Sequence, residues 1–186
     1  MRQRREPVTI VLIVINLVVF AITYLSGLNQ AISELGLARY TFLHGYFWTP
    51  LTAIFVHVSV MHVAMNMVSL WFMGRLMEPA LGRNRFLLVY FGTALCGDAL
   101  CLLLASPYSI SVGASGAIFG LIGAAIMVFR KNRSVFMQLM FWAGLNLVFT
   151  FWGSGIAWQA HVGGLLGGLL IGWQLTRTHA VGGYYY

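Results

Sequence analysis

Charge is the scarcest property of this sequence. Only 8% of its 186 residues are charged, against 60% hydrophobic. A soluble globular domain carries about a quarter charged residues. This excludes a freely soluble domain and makes a bilayer the expected solvent. Acidic side chains number four, and Asp98 is the single aspartate. An aspartyl intramembrane protease needs two, so that class is excluded. No His-Glu pair occurs either, which removes the H-E-x-x-H zinc hydrolases. Cysteine is nearly absent: Cys96 and Cys101 share one apolar run. That placement suggests neither a disulfide nor a metal site, and both read as small buried hydrophobes.

What the sequence does have is long apolar runs. Six candidate spans are Val8–Leu25, Val56–Phe72, Phe86–Leu104, Ser115–Phe129, Phe136–Phe151 and Ala157–Leu175. A helix needs about 20 apolar residues to cross a bilayer, so the fourth and fifth are short and suggest helices that begin or end inside the protein. The first run exceeds the usual signal-peptide core of about 7–15 residues and no clear small-x-small site follows; it reads as a retained span. The formal net charge of +7 does not argue for nucleic acid, because the basic residues sit at the ends of apolar runs, where they act as topology signals. With a cytoplasmic N-terminus and six spans, ten of the eleven basic residues fall on the cytoplasmic side and only Arg39 outside. The expected organisation is a cytoplasmic N-terminus over residues 1–7, a six-helix membrane domain over 8–177 and a tail over 178–186. Gly27 to Phe55 is long for a loop and rich in Leu, Phe, Tyr and Trp. It is expected to lie in the outer interface as short amphipathic segments, with Glu34 and Arg39 facing water.

Polar groups inside spans are costly and are functional candidates by default. They are His62, Asn66, Glu78, Asp98, Ser115 and His161, with His57 at a span edge. Counting back from the cytoplasmic arginines at about 1.5 Å per residue puts His62, Ser115 and His161 roughly 9, 8 and 6 Å below the outer surface. Nothing in composition forces that shared depth. Ser115 stands between Gly113-Ala114 and Gly116, where a backbone can turn tightly and a substrate can approach closely. Helix N-capping is the alternative role for such a serine. His161 shares a helix face with Gly164 and Gly168, and Gly116 and Gly120 make a similar face behind Ser115. Small faces let membrane helices approach closely. If these two meet, Ser115 gains the adjacent base that makes a hydroxyl nucleophilic. His62 and Asn66 share a face four residues apart and could donate to a developing oxyanion, although interhelical hydrogen bonding alone is also open to Asn66. His57, about 140° around a continuous helix from His62, is expected to point elsewhere and tie the outer loop to the bundle. Asp98 could orient His161, but a local hydrogen bond is favoured, leaving a Ser-His dyad.

These residues resemble the rhomboid family of intramembrane serine proteases, over about Trp48 to Trp173. The resemblance rests on His57-x4-His62-x3-Asn66, on Gly113-Ala114-Ser115-Gly116, on Ala160-His161-Val162-Gly163-Gly164 with Gly168, and on Gly74-x3-Glu78. It implies an all-α six-transmembrane-helix bundle with a partly membrane-embedded first outer loop. It also implies Ser115 as nucleophile, His161 as general base, and His62, Asn66 and the Ser115 backbone as oxyanion hole. Glu78 would support the fold, Trp152-Gly153-Ser154-Gly155 would form a mobile cap, and the fifth span would act as a gate. Two positions depart from the family. The first-loop Trp-Arg pair is Trp48-Thr49 here, so the role of that Arg is absent or supplied by Arg39. A stacking Tyr is Phe119, which keeps the ring that would lie on His161. The expected function is hydrolysis of peptide bonds in or near transmembrane segments of membrane proteins, without cofactor or metal. The expected setting is the bacterial inner membrane, with the site towards the outer side, membrane lipid and protein substrates as partners, and no nucleic acid. The alternatives are a catalytically silent rhomboid-like protein that binds membrane helices, which should lack the Ser or the His, and a small transporter, which would want ionisable groups across the whole bilayer.

Overall fold

A computed structural model describes residues 6–152 and 157–177, with residues 145–152 described in their backbone only. The described residues are helical: α1 (Pro7–Leu35), α2 (Arg39–Leu43), α3 (Thr49–Thr52) with a 3-10 turn (Ala53–Phe55), α4 (Val60–Leu81), α5 (Arg83–Leu104), α6 (Ser115–Val128), α7 (Arg133–Trp152) and α8 (Trp158–Arg177). Among them α1 and α5 are each long and apolar enough to cross a membrane. The segments Thr49–Phe55 and Val60–Leu81 qualify together, bent by 93°. α6 has 14 residues, and five glycines lower the apolar content of α8.

Helix ends follow local chemistry. Pro7 opens α1, where a missing N–H costs nothing. The next amides are capped from another helix: Glu78 accepts from the N–H groups of Val8 (3.0 Å) and Thr9 (2.8 Å) and from Thr9 Oγ1 (2.7 Å). A Cβ at Gly74, one turn earlier on α4, would strike Thr9. The start of α1 and the end of α4 are thereby clasped at one level. Gly82, at φ 78°, ends α4 and turns the chain directly into α5.

The centre of the bundle is α6, buried along most of its length. α8 lies against it in the same direction: a Cβ at Gly164 would meet the Gly116 carbonyl, one at Gly168 the Gly120 carbonyl, and one at Gly172 Ala124. The neighbouring face of α8 meets α5, where a Cβ at Gly163 would lie 2.7 Å from the Cys96 oxygen and 2.9 Å from Gly97 Cα. Absent side chains thus let three helices touch backbone to backbone.

Several boundaries differ from the apolar runs. α1 continues past a break at Gly27 (φ 122°) to Leu35. α7 spans 20 residues rather than the shorter run. α4 begins only at Val60, because the Ser59 side chain accepts from the His62 N–H and caps the helix there (3.1 Å).

The first outer segment packs against the chain that leads into Ser115. Leu37 and Ser111 exchange both backbone hydrogen bonds, Tyr40 N–H donates to Pro107 O, and Gly113 N–H donates to Ala53 O. Glu34 is exposed, as expected, but Arg39 is half-buried. It reaches the carbonyls of Leu102 (3.4 Å) and Leu103 (3.3 Å) at the end of α5. Those carbonyls have no partner within their own helix, which explains why a guanidinium turns from water to them.

Candidate active site

α6 starts at the head of this tied segment. Gly113 has φ 109°, a conformation that L side chains rarely adopt. A Cβ there would also lie 2.8 Å from His62 Cε1 and 2.9 Å from His62 Nε2. Glycine is required twice, for the turn and for the approach of the His62 ring. Ala114 is the N-cap and no side chain caps α6. Ser115 is therefore not the N-cap. Its hydroxyl is engaged elsewhere, and no side chain caps the first N–H groups of α6.

Ser115 Oγ lies 2.8 Å from His161 Nε2. His161 is 9% exposed, and its ring stacks on Phe119, one turn into α6, with centroids 4.3 Å apart and planes at 13°. The imidazole is held between the serine and an aromatic plane carried by the same helix. The glycine contacts between α6 and α8 set the distance across which this happens.

His62 sits on the first turn of α4. The Val58 N–H faces its Nδ1 at 3.4 Å, which in the neutral ring leaves the proton on Nε2, the atom beside Gly113. Asn66 Nδ2 donates to His62 O (2.9 Å), a bond within the helix rather than between helices. One amide hydrogen remains, and Asn66 Oδ1 is buried without a partner.

The position of His57 requires a correction. It does not point away from His62. The two ring centroids are 5.0 Å apart in an edge-to-face pair, because residues 56–58 precede the Ser59 cap and are not helical. His57 is fully buried, with Nδ1 3.2 Å from Phe55 O. The hydrogen bond expected of Asp98 is also not made by Oδ2, which is buried without a partner. Glu78 is remote in sequence from the serine and is engaged with α1. Among the described residues no group of three or more His, Cys, Asp and Glu could hold a metal ion. Gly153, Ser154 and Gly155 of the expected cap lie outside the described residues, and Trp152 is described in its backbone only. Sequence reasoning did not identify Val58 or Ala53. Both act through the main chain, which leaves no side-chain signal to read.

A rhomboid domain model matches residues 44–178, close to three quarters of the chain. The chain belongs to the rhomboid family. Rhomboid protease GluP of Bacillus subtilis (strain 168) is 39% identical over 129 residues, covering 67% of this chain and 25% of that protein. RHOMBOID-like protein 7 of Arabidopsis thaliana is 34% identical over 140 residues, covering 69% and 42%. Rhomboid-like protease 3 of Toxoplasma gondii is 31% identical over 133 residues, covering 67% and 50%. This rhomboid chain therefore spans between a quarter and a half of the length of these three relatives. The matched residues contain every candidate position named above, from His57 to Gly168, and exclude α1 and α2.

Proposed function

We propose that this chain is an intramembrane serine endopeptidase in which Ser115 is the nucleophile and His161 the general base. The observation that carries the reading is the 2.8 Å contact between Ser115 Oγ and His161 Nε2. A serine hydroxyl becomes nucleophilic when an adjacent base takes its proton. Ser115 Oγ attacks the substrate carbonyl carbon and its proton passes to His161 Nε2. The carbonyl oxygen becomes an oxyanion. The Ser115 N–H at the uncapped start of α6, His62 Nε2–H and the remaining Asn66 amide hydrogen are its donors. Collapse breaks the C–N bond, and His161 returns the proton to the leaving amine. A water deprotonated by His161 then attacks the acyl carbon, and the ester C–O bond breaks as His161 returns that proton to Ser115 Oγ. His57 supports the His62 ring, and Phe119 keeps the His161 plane. Gly113, Gly164 and Gly168 allow the approaches this geometry needs, and Glu78 supports the fold.

The proposed membrane arrangement is six spans, α1 and α4 to α8, with residues 8–177 as the catalytic domain and the first outer segment partly embedded. Exposed Tyr40, Leu43, Phe47 and Leu51 in that segment favour embedding. The clasp of α1 with the end of α4, and the parallel course of α6 and α8, favour both termini on one side. The basic residues favour that side as the cytoplasmic face; the proposed setting is a bacterial inner membrane, with residues 178–186 as a cytoplasmic tail and the site towards the outside. Substrates are single-span membrane proteins. α7 is the proposed gate: of its described side chains only Leu139 and Ala143 are buried. The segment Trp152 to Gly155 is the proposed cap.

The test is cleavage of a single-span substrate by purified protein in vesicles. Wild type cleaves, and Ser115→Ala and His161→Ala each lose at least about 10³-fold. Cleavage by Ser115→Ala at the wild-type rate would overturn the proposal. Substrate binding without cleavage by wild type would favour the silent helix-binding alternative.

A further inference from the structure

The end of the bundle opposite Ser115 carries a cationic surface that peptide hydrolysis does not use. α6 and α8 run side by side, with Gly172 against Ala124, so Arg130 after α6 and Arg177 at the end of α8 emerge together. Arg133 opens α7 beside them, and Arg83 opens α5 after the clasped end of α4. Acidic side chains do not balance them: both Glu78 oxygens are occupied by α1, which leaves Glu6 at this end. The helix dipole does not account for the whole set. Arg130 does cap a helix end, donating to Met127 O at 2.9 Å. Arg83 and Arg133, however, stand at helix starts, where a cation is disfavoured.

Two arginines also lie over exposed indoles one turn earlier. Arg177 Cζ lies 3.8 Å from the Trp173 ring centroid and Arg75 Cζ 4.9 Å from that of Trp71. A guanidinium that lies over an indole presents N–H groups at its edge that can bind an oxyanion. Trp173 and Trp71 are 38% and 42% exposed, and exposed Leu166, Leu170 and Phe72 share their helices. An indole between an apolar band and a cationic rim marks the headgroup level of a bilayer. A surface for a free anion or a soluble protein would not need that band.

We propose that this end of the bundle binds acidic phospholipid headgroups, with Arg130, Arg133 and Arg177 as the principal phosphate contacts. The inference does not depend on the catalytic reading.

The experiment is lipid retention on the full chain, measured by native mass spectrometry after extraction from vesicles of phosphatidylcholine and phosphatidylglycerol in equal parts. Wild type is expected to retain phosphatidylglycerol preferentially, and raised salt to weaken the preference. Arg133→Gln with Arg177→Gln should lower it by about fivefold per residue. The charge-preserving Arg133→Lys with Arg177→Lys should keep most of it, losing only the share that the Arg177 contact with Trp173 contributes. Thermal unfolding in pure phosphatidylcholine checks that both double variants fold. Equal retention of the two lipids by wild type would overturn the proposal, as would an unchanged preference in the Gln variant. So would full competition by millimolar inorganic phosphate, which would mark a free-anion site. A phosphatidylglycerol effect seen only with a change of oligomeric state would assign the surface to a second copy instead.

Discussion

Gly164 of α8 lies against the main-chain oxygen of Gly116 in α6. Gly164 follows His161 by three residues, and Gly116 follows Ser115 directly. The closeness of two backbones is therefore what sets the Ser115–His161 distance. Gly164→Ala should force the helices apart at the level of the site. Overpacking of this kind costs about 1–3 kcal/mol, and a shift of about 1 Å between reacting groups can cost about 10²-fold in rate. The measurement is cleavage rate together with thermal midpoint. Gly92→Ala on α5 is the control, since only the tip of the Ile171 side chain, at 3.4 Å, lies near its Cβ position. It should leave activity unchanged and gain up to about 1 kcal/mol from helix propensity.

Gly113→Ala should lower kcat with little change in stability beyond the strain of its positive φ, about 1–3 kcal/mol. The added methyl would meet His62 Cε1 at 2.8 Å and push the ring from the site. His62→Ala should lower kcat by about 10²-fold, the usual effect of losing one oxyanion donor. The double variant should then be little worse than His62→Ala, because both changes remove the same group. Steady-state kinetics on the three proteins decide this, and additive losses would show that Gly113 acts independently of His62.

Phe119 should be separable from the chemistry. Phe119→Leu removes the plane stacked 4.3 Å from the His161 ring and should lower kcat about tenfold while leaving KM nearly unchanged. Phe119→Tyr should retain the rate, because it keeps the ring. A change in KM with kcat intact would place Phe119 against substrate instead of the base.

Glu78→Ala should destabilise the protein without altering its chemistry. The carboxylate accepts from Val8 N–H, Thr9 N–H and Thr9 Oγ1, and removing it strands buried donors at about 1–3 kcal/mol. Thermal unfolding should report the loss, while kcat measured well below the midpoint stays within about twofold of wild type.

The legible parts of the molecule were those that leave a side-chain pattern. Apolar runs marked the helices, and the Gly164/Gly168 and Gly116/Gly120 spacings marked the faces that meet. What the runs hid were the ends. The stretch from Val56 reads as one span despite His57 and Ser59, so the start of α4 is legible only from the Ser59 cap, and a helix continued through it puts His57 on the wrong side of His62. The turn of Arg39 away from water leaves no sequence signal, because its partners are main-chain carbonyls of α5. The Leu37–Ser111 bridge is backbone alone. Such contacts have no periodicity, yet they hold the segment that delivers Ser115.

Covalent labelling of Ser115 tests the central claim most directly. Purified protein in vesicles is treated with a fluorophosphonate, and the modified residue is identified by mass spectrometry. If His161, 2.8 Å away, activates Ser115, then wild type is labelled at Ser115. His161→Ala should then be labelled at least about 10²-fold more slowly, and Ser115→Ala not at all. Labelling of Ser115 at the same rate with and without His161, or labelling of a different serine in wild type, would contradict it.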